Sequence, residues 1–453
     1  METQQLRARA RQHLVQHFTR SDTVGGDFPI FVSGDGCYLT DSDGNRHLDG
    51  LAGLFCVNIG HGRKDIAAAA AAQYDQLAYA SNWGMAHPAA IEAASLIAEL
   101  APEGLDTTFF VNSGSEAVES AIKFVRQYHM SNGQPERTKI ISRSMAYHGT
   151  TLGALAVTQL PNIKKQFGPL MPGTFAAPNT LGYVGDCGPA DELPPVKGIE
   201  EIIEREGADT IAAIFAEPVQ NGRGALVAPD GYWQAVRDLC DKHGILLVSD
   251  EVICSFGRLG YWFGAGFTGV TPDVITFAKG STSGYAPLGG AIIRTELLER
   301  LYESPTGGAF THGATWGGHP ISTAVATANI SAMRDEKVLD NVLANGPRVM
   351  ESLQALKQDH RSVKDVRGTG YFYCVEMMAD RGAGREFTQE ESLTVLRKVL
   401  PESFASTGVL LRGDDRGATN LMISPPLVAG TEELDVLLHG VDQILTNVEK
   451  AIV

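Results

Sequence analysis

The chain has 453 residues, 43% of them hydrophobic, and a formal net charge of −16 at pH 7. That length buries a large core and suits two unequal domains, while the acidic balance argues against nucleic acid, whose binders carry a basic stripe. Six dispersed cysteines with no CxxC pair suggest neither a disulfide framework nor a zinc site, and no run reaches ~18 apolar residues. A reducing cytoplasm without a membrane span is the expected setting.

Residues 1–20 read as a helix ending near Ser21–Asp22. Its Arg-rich, acid-poor start has some character of a mitochondrial transit peptide, but a helix packed on the protein's own surface is preferred. Ile30–Asp49 alternates in strand fashion around DSDGN, a hairpin signal. The glycine-punctuated loop GLAGLFCVNIGHG follows, then helices over Asp65–Ala80 and His87–Leu100.

The strand TTFFV (Thr107–Val111) runs directly into NSGSEAVESAIKFVRQY. Ser113, Gly114 and Ser115 at such a junction offer free backbone amides and a hydroxyl to an anion. A serine N-cap with no ligand is the competing reading. TKIIS (Thr138–Ser142) is the next strand and leads to AYHGTT. There Tyr147 can lay a flat ring on a planar ligand and Gly149 permits close approach, whereas a histidine such as His148 is usually structural. Residues 161–195 hold seven prolines and read as a long surface excursion. TIAAIFAEPVQ is a buried strand ending at Glu217, where Pro218 stops pairing, and YWQAVRDLCDKHG is an amphipathic helix.

The chain is organised around GILLVSDEV and DVITFAKG. Both are short apolar runs of the kind buried on both faces of a parallel sheet. One delivers Asp250 and Glu251, the other Lys279. Ligands bind beyond the carboxyl ends of such strands, so a carboxylate and an amine meet at one rim. Lys279 follows Asp250 by 29 residues, room for one connection between neighbouring strands. A cofactor with a basic ring nitrogen, an aldehyde and a phosphate suits these groups: pyridoxal 5′-phosphate (PLP).

THGATWGGHP (Thr311–Pro320) is a glycine-rich loop before a helix, and His148, His312 and His319 match no zinc spacing, so no metal is expected. From about Ile330 the texture changes. VKDVRGTGYFYCVEM, GVLLR and NLMISPPL read as a small sheet, covered by helices near Glu390–Ser406 and Thr431–Glu449. Arg412 closes GVLLR, and Arg416 follows in a glycine-containing turn.

The DEV…AKG arrangement, with SGSEA and YHG, resembles the signature of class III (ω-) aminotransferases from about Pro29 to Leu427. The resemblance implies an α/β chain of fold type I, the PLP-dependent transferase fold. A large domain with a mostly parallel central sheet (61–329) would carry the cofactor. A smaller α+β C-terminal domain (330–453) would follow, with residues 1–60 packing on it. By the same resemblance Lys279 is the Schiff-base lysine and later the proton-moving base, and Asp250 partners the pyridinium nitrogen. Ser113, Gly114 and Ser115 hold the phosphate, Tyr147 and Val252 flank the ring, and His148 and Glu217 lie close by. Thr315 reaches the phosphate from a neighbouring subunit, implying a homodimer with shared sites, dimer or tetramer being left open. Phe55, Trp83, Tyr147 and Arg412 would wall the substrate pocket, with Arg416 the rival of Arg412 for a substrate carboxylate.

The expected reaction moves an amino group from a primary amine or ω-amino acid to an oxo acid, with pyruvate preferred. An aminomutase or decarboxylating transaminase on the same fold, and a non-catalytic PLP-binding module, are the alternatives. A nicotinamide dehydrogenase is set aside because GxGxxG is missing after the first strands.

Overall fold

The computed structural model describes residues 2–18 and 28–452. A helix spans Thr3–His13, and Thr3 Oγ1 donates to the Ser42 carbonyl, fastening it to the turn between strands. The helix stops at His13, short of the expected reach to residue 20, because Leu14 turns extended at φ −118° and ψ 120°; the expected end near Ser21–Asp22 itself lies outside the described residues. The hairpin signal gives three strands, β1 (Phe31–Asp35), β2 (Tyr38–Asp41) and β3 (Arg46–Asp49). Asp41 closes the turn by accepting from the backbone N–H groups of Asp43 and Asn45.

The central sheet takes its strands from the middle of the chain: β4 (Thr107–Val111), β5 (Lys139–Arg143), β6 (Thr174–Ala177) and β7 (Ile211–Ala216). A two-stranded ribbon, β8 (Val219–Gln220) and β9 (Leu226–Val227), then precedes β10 (Leu246–Asp250), β11 (Val274–Phe277) and β12 (Gly289–Ile293). The order is β4-β12-β11-β10-β7-β5-β6. The pairs β11–β10, β10–β7, β7–β5 and β5–β6 are parallel, and β12 runs antiparallel between β11 and β4. Every residue of β7, β10, β11 and β12 is buried, as expected of strands covered by helices on both faces.

Helix Gly114–Ser131 covers one face with Val118, Ala121, Ile122, Phe124 and Val125. Helices Pro194–Glu206 and Tyr232–His243 place Ile199, Ile203, Val236 and Leu239 in the core that includes Ile141, Ile214 and Leu247. Proline opens helices Pro88–Leu100, Pro194–Glu206 and Pro320–Asp335, where its fixed φ fits and its missing N–H is no loss. The 161–195 stretch is more than a surface excursion. It contributes β6, an edge strand of the central sheet. Four residues between proline-containing flanks give little periodicity to read.

The last third of the chain adds β13 (Val363–Thr369), β14 (Phe372–Met377), β15 (Val409–Leu410), β16 (Arg412–Asp414) and β17 (Thr419–Ile423). A four-stranded sheet forms in the order β13-β14-β17-β16. GVLLR does not stay within it: β15 pairs in parallel with β3, and only Arg412 onward belongs with β17. The first strands and the last third of the chain are therefore joined by backbone hydrogen bonds. Helix Thr431–Ala451 packs against β15 and β3, and its Leu434, Leu437, Val441, Ile444 and Leu445, all fully buried, share one core with Val375 of β14 and Ile423 of β17.

Candidate active site

At the carboxyl ends of the parallel strands lies one cavity, about 620 Å³ including its open mouth. Its walls come from four chain segments, Ser113–Ser115, Tyr147–Gly149, Asp250 with Val252–Cys254, and Ala278–Lys279, with Glu217 completing them. Asp250 ends β10 and is paired in register with Thr276 of β11, two residues before Ala278. Neighbouring strand ends thus bring the carboxylate and the amine together.

Asp250 is buried and aimed by three donors. Its Oδ2 accepts from His148 Nδ1 at 2.7 Å, and its Oδ1 accepts from Thr276 Oγ1 at 3.0 Å and the Val252 N–H at 3.2 Å. His148 is also buried, and its Nε2 has no hydrogen-bond partner. Glu217 accepts from the N–H groups of Tyr147 (3.2 Å) and Asn221 (2.8 Å), so it fixes the loop carrying the tyrosine. Burial raises its pKa, against the nearby charges of His148 and Arg143.

Lys279 opens a short turn after β11, with φ +37°, a region uncommon for a non-glycine residue. Asn329 Nδ2 holds that turn by donating to the carbonyls of Gly280 (2.9 Å) and Ser281 (3.0 Å). Enclosure lowers the amine's pKa from its usual value; Cys56, Asp250 and Glu217 oppose the shift and Arg416 adds to it. The neutral, nucleophilic form is thereby favoured.

The anion cradle is built by close backbone approach. Ser113 caps the helix through its hydroxyl, which accepts from the Glu116 N–H. A Cβ on Gly114 would sit 2.7 Å from Val252 Cγ1, and one on Gly149, at φ +121°, would run into Ser115 Oγ. The Thr150 N–H donates to Ser115 Oγ at 3.1 Å, leaving the hydroxyl proton for another acceptor. These groups fit PLP: amides and a hydroxyl for the phosphate, Tyr147 and Val252 for the ring faces, Asp250 for the ring nitrogen, Lys279 for the aldehyde.

Other expected residues lie elsewhere in this chain. Phe55 is 2% exposed and packs edge-on against Phe372, their centroids 5.5 Å apart, so it belongs to the core. Trp83 is 63% exposed and lines a separate groove with Phe110, Tyr302 and Gly313. Thr315 is exposed beside that groove, its carbonyl accepting from Tyr79 Oη at 2.7 Å. Arg412 lies on β16 with Nη2 3.7 Å from Asp414, whereas Arg416 lays its guanidinium over the Tyr147 ring, 4.5 Å from the centroid. Thr276 is a contact that sequence reading missed. The strand register opposite Asp250 was the signal for it.

Comparison with known proteins agrees with this geometry. The family model for class-III aminotransferases matches residues 24–445. A Mycobacterium tuberculosis protein bearing the name aminotransferase is 44% identical over 441 residues, covering 96% of this chain and 93% of its own. The putrescine–pyruvate aminotransferase of Pseudomonas aeruginosa is 37% identical over 445 residues, covering 96% and 94%. A PLP-bound amine transaminase from an uncultivated Pseudomonas species superposes with a TM-score of 0.88 at 32% identity, over 96% of this chain and 98% of that one. The chain belongs to the class-III aminotransferases, PLP-dependent enzymes of fold type I.

Proposed function

We propose that the protein transfers the amino group of a primary amine or ω-amino acid to pyruvate, releasing an aldehyde or ketone and alanine. The observation that carries this reading is the meeting of Lys279 and Asp250 on neighbouring strand ends in one cavity. The choice of pyruvate is supported by the acceptor in the name of the Pseudomonas aeruginosa relative. An aminomutase needs no external acceptor, so alanine formed from pyruvate and an amine separates the two.

Bound PLP supplies an electrophilic carbon and a ring that accepts electrons from the substrate. The residues do the rest. Lys279 would hold the cofactor between turnovers, and its freed amine would take the proton from the donor's amine-bearing carbon in the first half-reaction and deliver one to the oxo acid's former carbonyl carbon in the second. Asp250 keeps the ring nitrogen protonated, and His148, Thr276 and the Val252 N–H keep its carboxylate pointed there. Ser113, Gly114 and Ser115 receive the phosphate at the helix start. Tyr147 and Val252 confine the ring between them.

The working unit in this reading is a homodimer. Trp83, Met85, Ile91, Tyr302 and Trp316 are each at least half exposed along or beside the groove that Gly313 and Ala314 line, and large apolar side chains gathered at one exposed face suit a protein contact. Thr315 stands at this face, and its proposed role is at the partner's phosphate cradle. Among the described residues no helix is long and apolar enough to cross a membrane, and a cytoplasmic setting is part of the proposal.

A further inference from the structure

Lys279 does its work from a strained position. Its φ of +37° costs free energy in a non-glycine residue, so the groups around its turn must hold it there. Asn329 does so through the carbonyls of Gly280 and Ser281. Asn58, in the glycine-punctuated loop far back in the chain, meets the same turn by contact. A Cβ on Gly280 would stand 2.3 Å from Asn58 Nδ2, so the amide lies directly on the backbone of the residue after Lys279. The neighbour of Asn58 is fastened just beyond that turn, the Ile59 N–H donating to Ser283 Oγ at 3.2 Å.

Both ends of the Asn58 side chain are tied. Its Nδ2 donates to the Phe256 carbonyl at 2.7 Å, and its Oδ1 accepts from Arg258 Nη2 at 2.7 Å. Its own carbonyl accepts from the Leu427 N–H at 2.8 Å. Arg258 is fully buried in the loop that leaves Asp250, and its hydrogen bonds go to neutral acceptors. Besides Asn58 these are the carbonyls of Tyr371, at 3.1 Å, and Pro425. Tyr371 returns a bond, its N–H donating to the Arg258 carbonyl at 3.0 Å. Burial pulls the guanidinium's pKa down to about 10, so it stays charged at neutral pH. A buried charge with no opposite charge is a costly way to fill space. What it gains here is reach. Tyr371 and Pro425 belong to the last third of the chain, and Asn58 touches the turn of Lys279.

We infer that Arg258, acting through Asn58, is a positioning residue that sets Lys279 against the cofactor and ties that placement to the seating of the last third of the chain. The inference rests on the reading of Lys279 as the residue that bonds PLP. An amine displaced by about 1 Å loses on the order of 10²-fold in rate. The phosphate cradle at Ser113–Ser115 stands apart from this chain of contacts, so the loss falls on steps that use the amine and spares binding.

The test separates placement of the amine from integrity of the site. Apoprotein is mixed with saturating PLP, and borohydride added at timed intervals fixes on Lys279 whatever cofactor has bonded there, counted by mass spectrometry. 4′-Deoxypyridoxine 5′-phosphate has no aldehyde, so its dissociation constant reports the cradle and ring walls alone. For Arg258→Met and for Asn58→Ala, bonding to Lys279 should slow at least about tenfold, while binding of the analogue weakens less than about threefold. In turnover, kcat should fall at least about tenfold with KM for pyruvate within about threefold. The double variant should bond PLP no more than about twofold slower than the slower single, as two residues acting in one line require. Arg258→Lys, which keeps the charge with fewer donors, should fall between wild type and Arg258→Met, and it carries the test if Arg258→Met does not fold. Equal losses in bonding and in analogue binding would make Arg258 a support of the fold and overturn the inference. So would additive losses in the double variant, or bonding at the wild-type rate in Asn58→Ala. Should bonding slow as expected while no donor yields alanine, the transaminase reading fails and the positioning role stands.

Discussion

His148 Nδ1 donates to Asp250 Oδ2 at 2.7 Å, with both side chains buried in the wall of the cavity. The pair fixes where a negative charge stands, and the reaction needs that charge opposite a protonated ring nitrogen. Asp250→Asn preserves shape and removes the charge. Its kcat should fall at least ~10²-fold, the lower end of what lost proton chemistry costs. PLP retention should change far less, and His148→Gln should lose less rate than Asp250→Asn. Wild-type turnover by the Asn variant would place control of ring protonation elsewhere.

Gly149 gives a prediction about the cofactor alone. A methyl group there displaces Ser115 Oγ from the anion cradle. Losing one charge-assisted hydrogen bond costs about 1.5–3 kcal/mol. Equilibrium dialysis should therefore show Gly149→Ala binding PLP at least ~10-fold more weakly. Unchanged affinity would mean that Ser115 does not touch the phosphate.

Glu251 gives the pH dependence. Burial raises its pKa from 4.5 to about 7, against hydrogen bonds from the Gly264 N–H and Ser249 Oγ. The folded state binds this proton more tightly than the unfolded chain does. Its contribution to stability is therefore fully present below pH 4.5 and is lost as pH rises toward 7. Urea midpoints at pH 5 and pH 7.5 should fall more for wild type than for Glu251→Gln. Equal falls would show that Glu251 titrates normally.

Subunit mixing tests the shared site. Thr315→Ala and Lys279→Ala should each lose most activity as pure proteins. Refolded together, they should recover part of it, because one site of each hybrid contains both original residues. An active monomer in sedimentation, or no recovery on mixing, would confine the site to one chain.

The sequence was most legible where chemistry sits at a strand end. Asp250, Glu217 and Lys279 each follow a buried apolar run, and parallel pairing of neighbouring strands carries them to one rim. Other features were set by contacts between distant segments. β6 was hidden by its proline-containing flanks, and GVLLR was divided between two sheets by pairing with β3, which lies far back in the chain. Phe55 and Trp83 are both large aromatics in glycine-rich loops, yet one packs on Phe372 and the other lies on an exposed groove. Local sequence does not distinguish those outcomes. Arg416 looked like a loop-tip residue, and it took the fold of the β16–β17 hairpin to lay it on Tyr147.

The central claim is amino transfer through Lys279, and alanine formation tests it most directly. PLP-loaded protein is incubated with ¹⁵N-labelled amine donors and pyruvate, and ¹⁵N-alanine is quantified by mass spectrometry, for wild type and for folded Lys279→Ala. Wild type should form labelled alanine from at least one donor among β-alanine, γ-aminobutyrate, taurine, a diamine and 1-phenylethylamine. Lys279→Ala should form it at less than ~1% of that rate, as expected for loss of the proton-moving base. Labelled alanine appearing at the wild-type rate from Lys279→Ala, or none from wild type with any of these donors, would contradict the account.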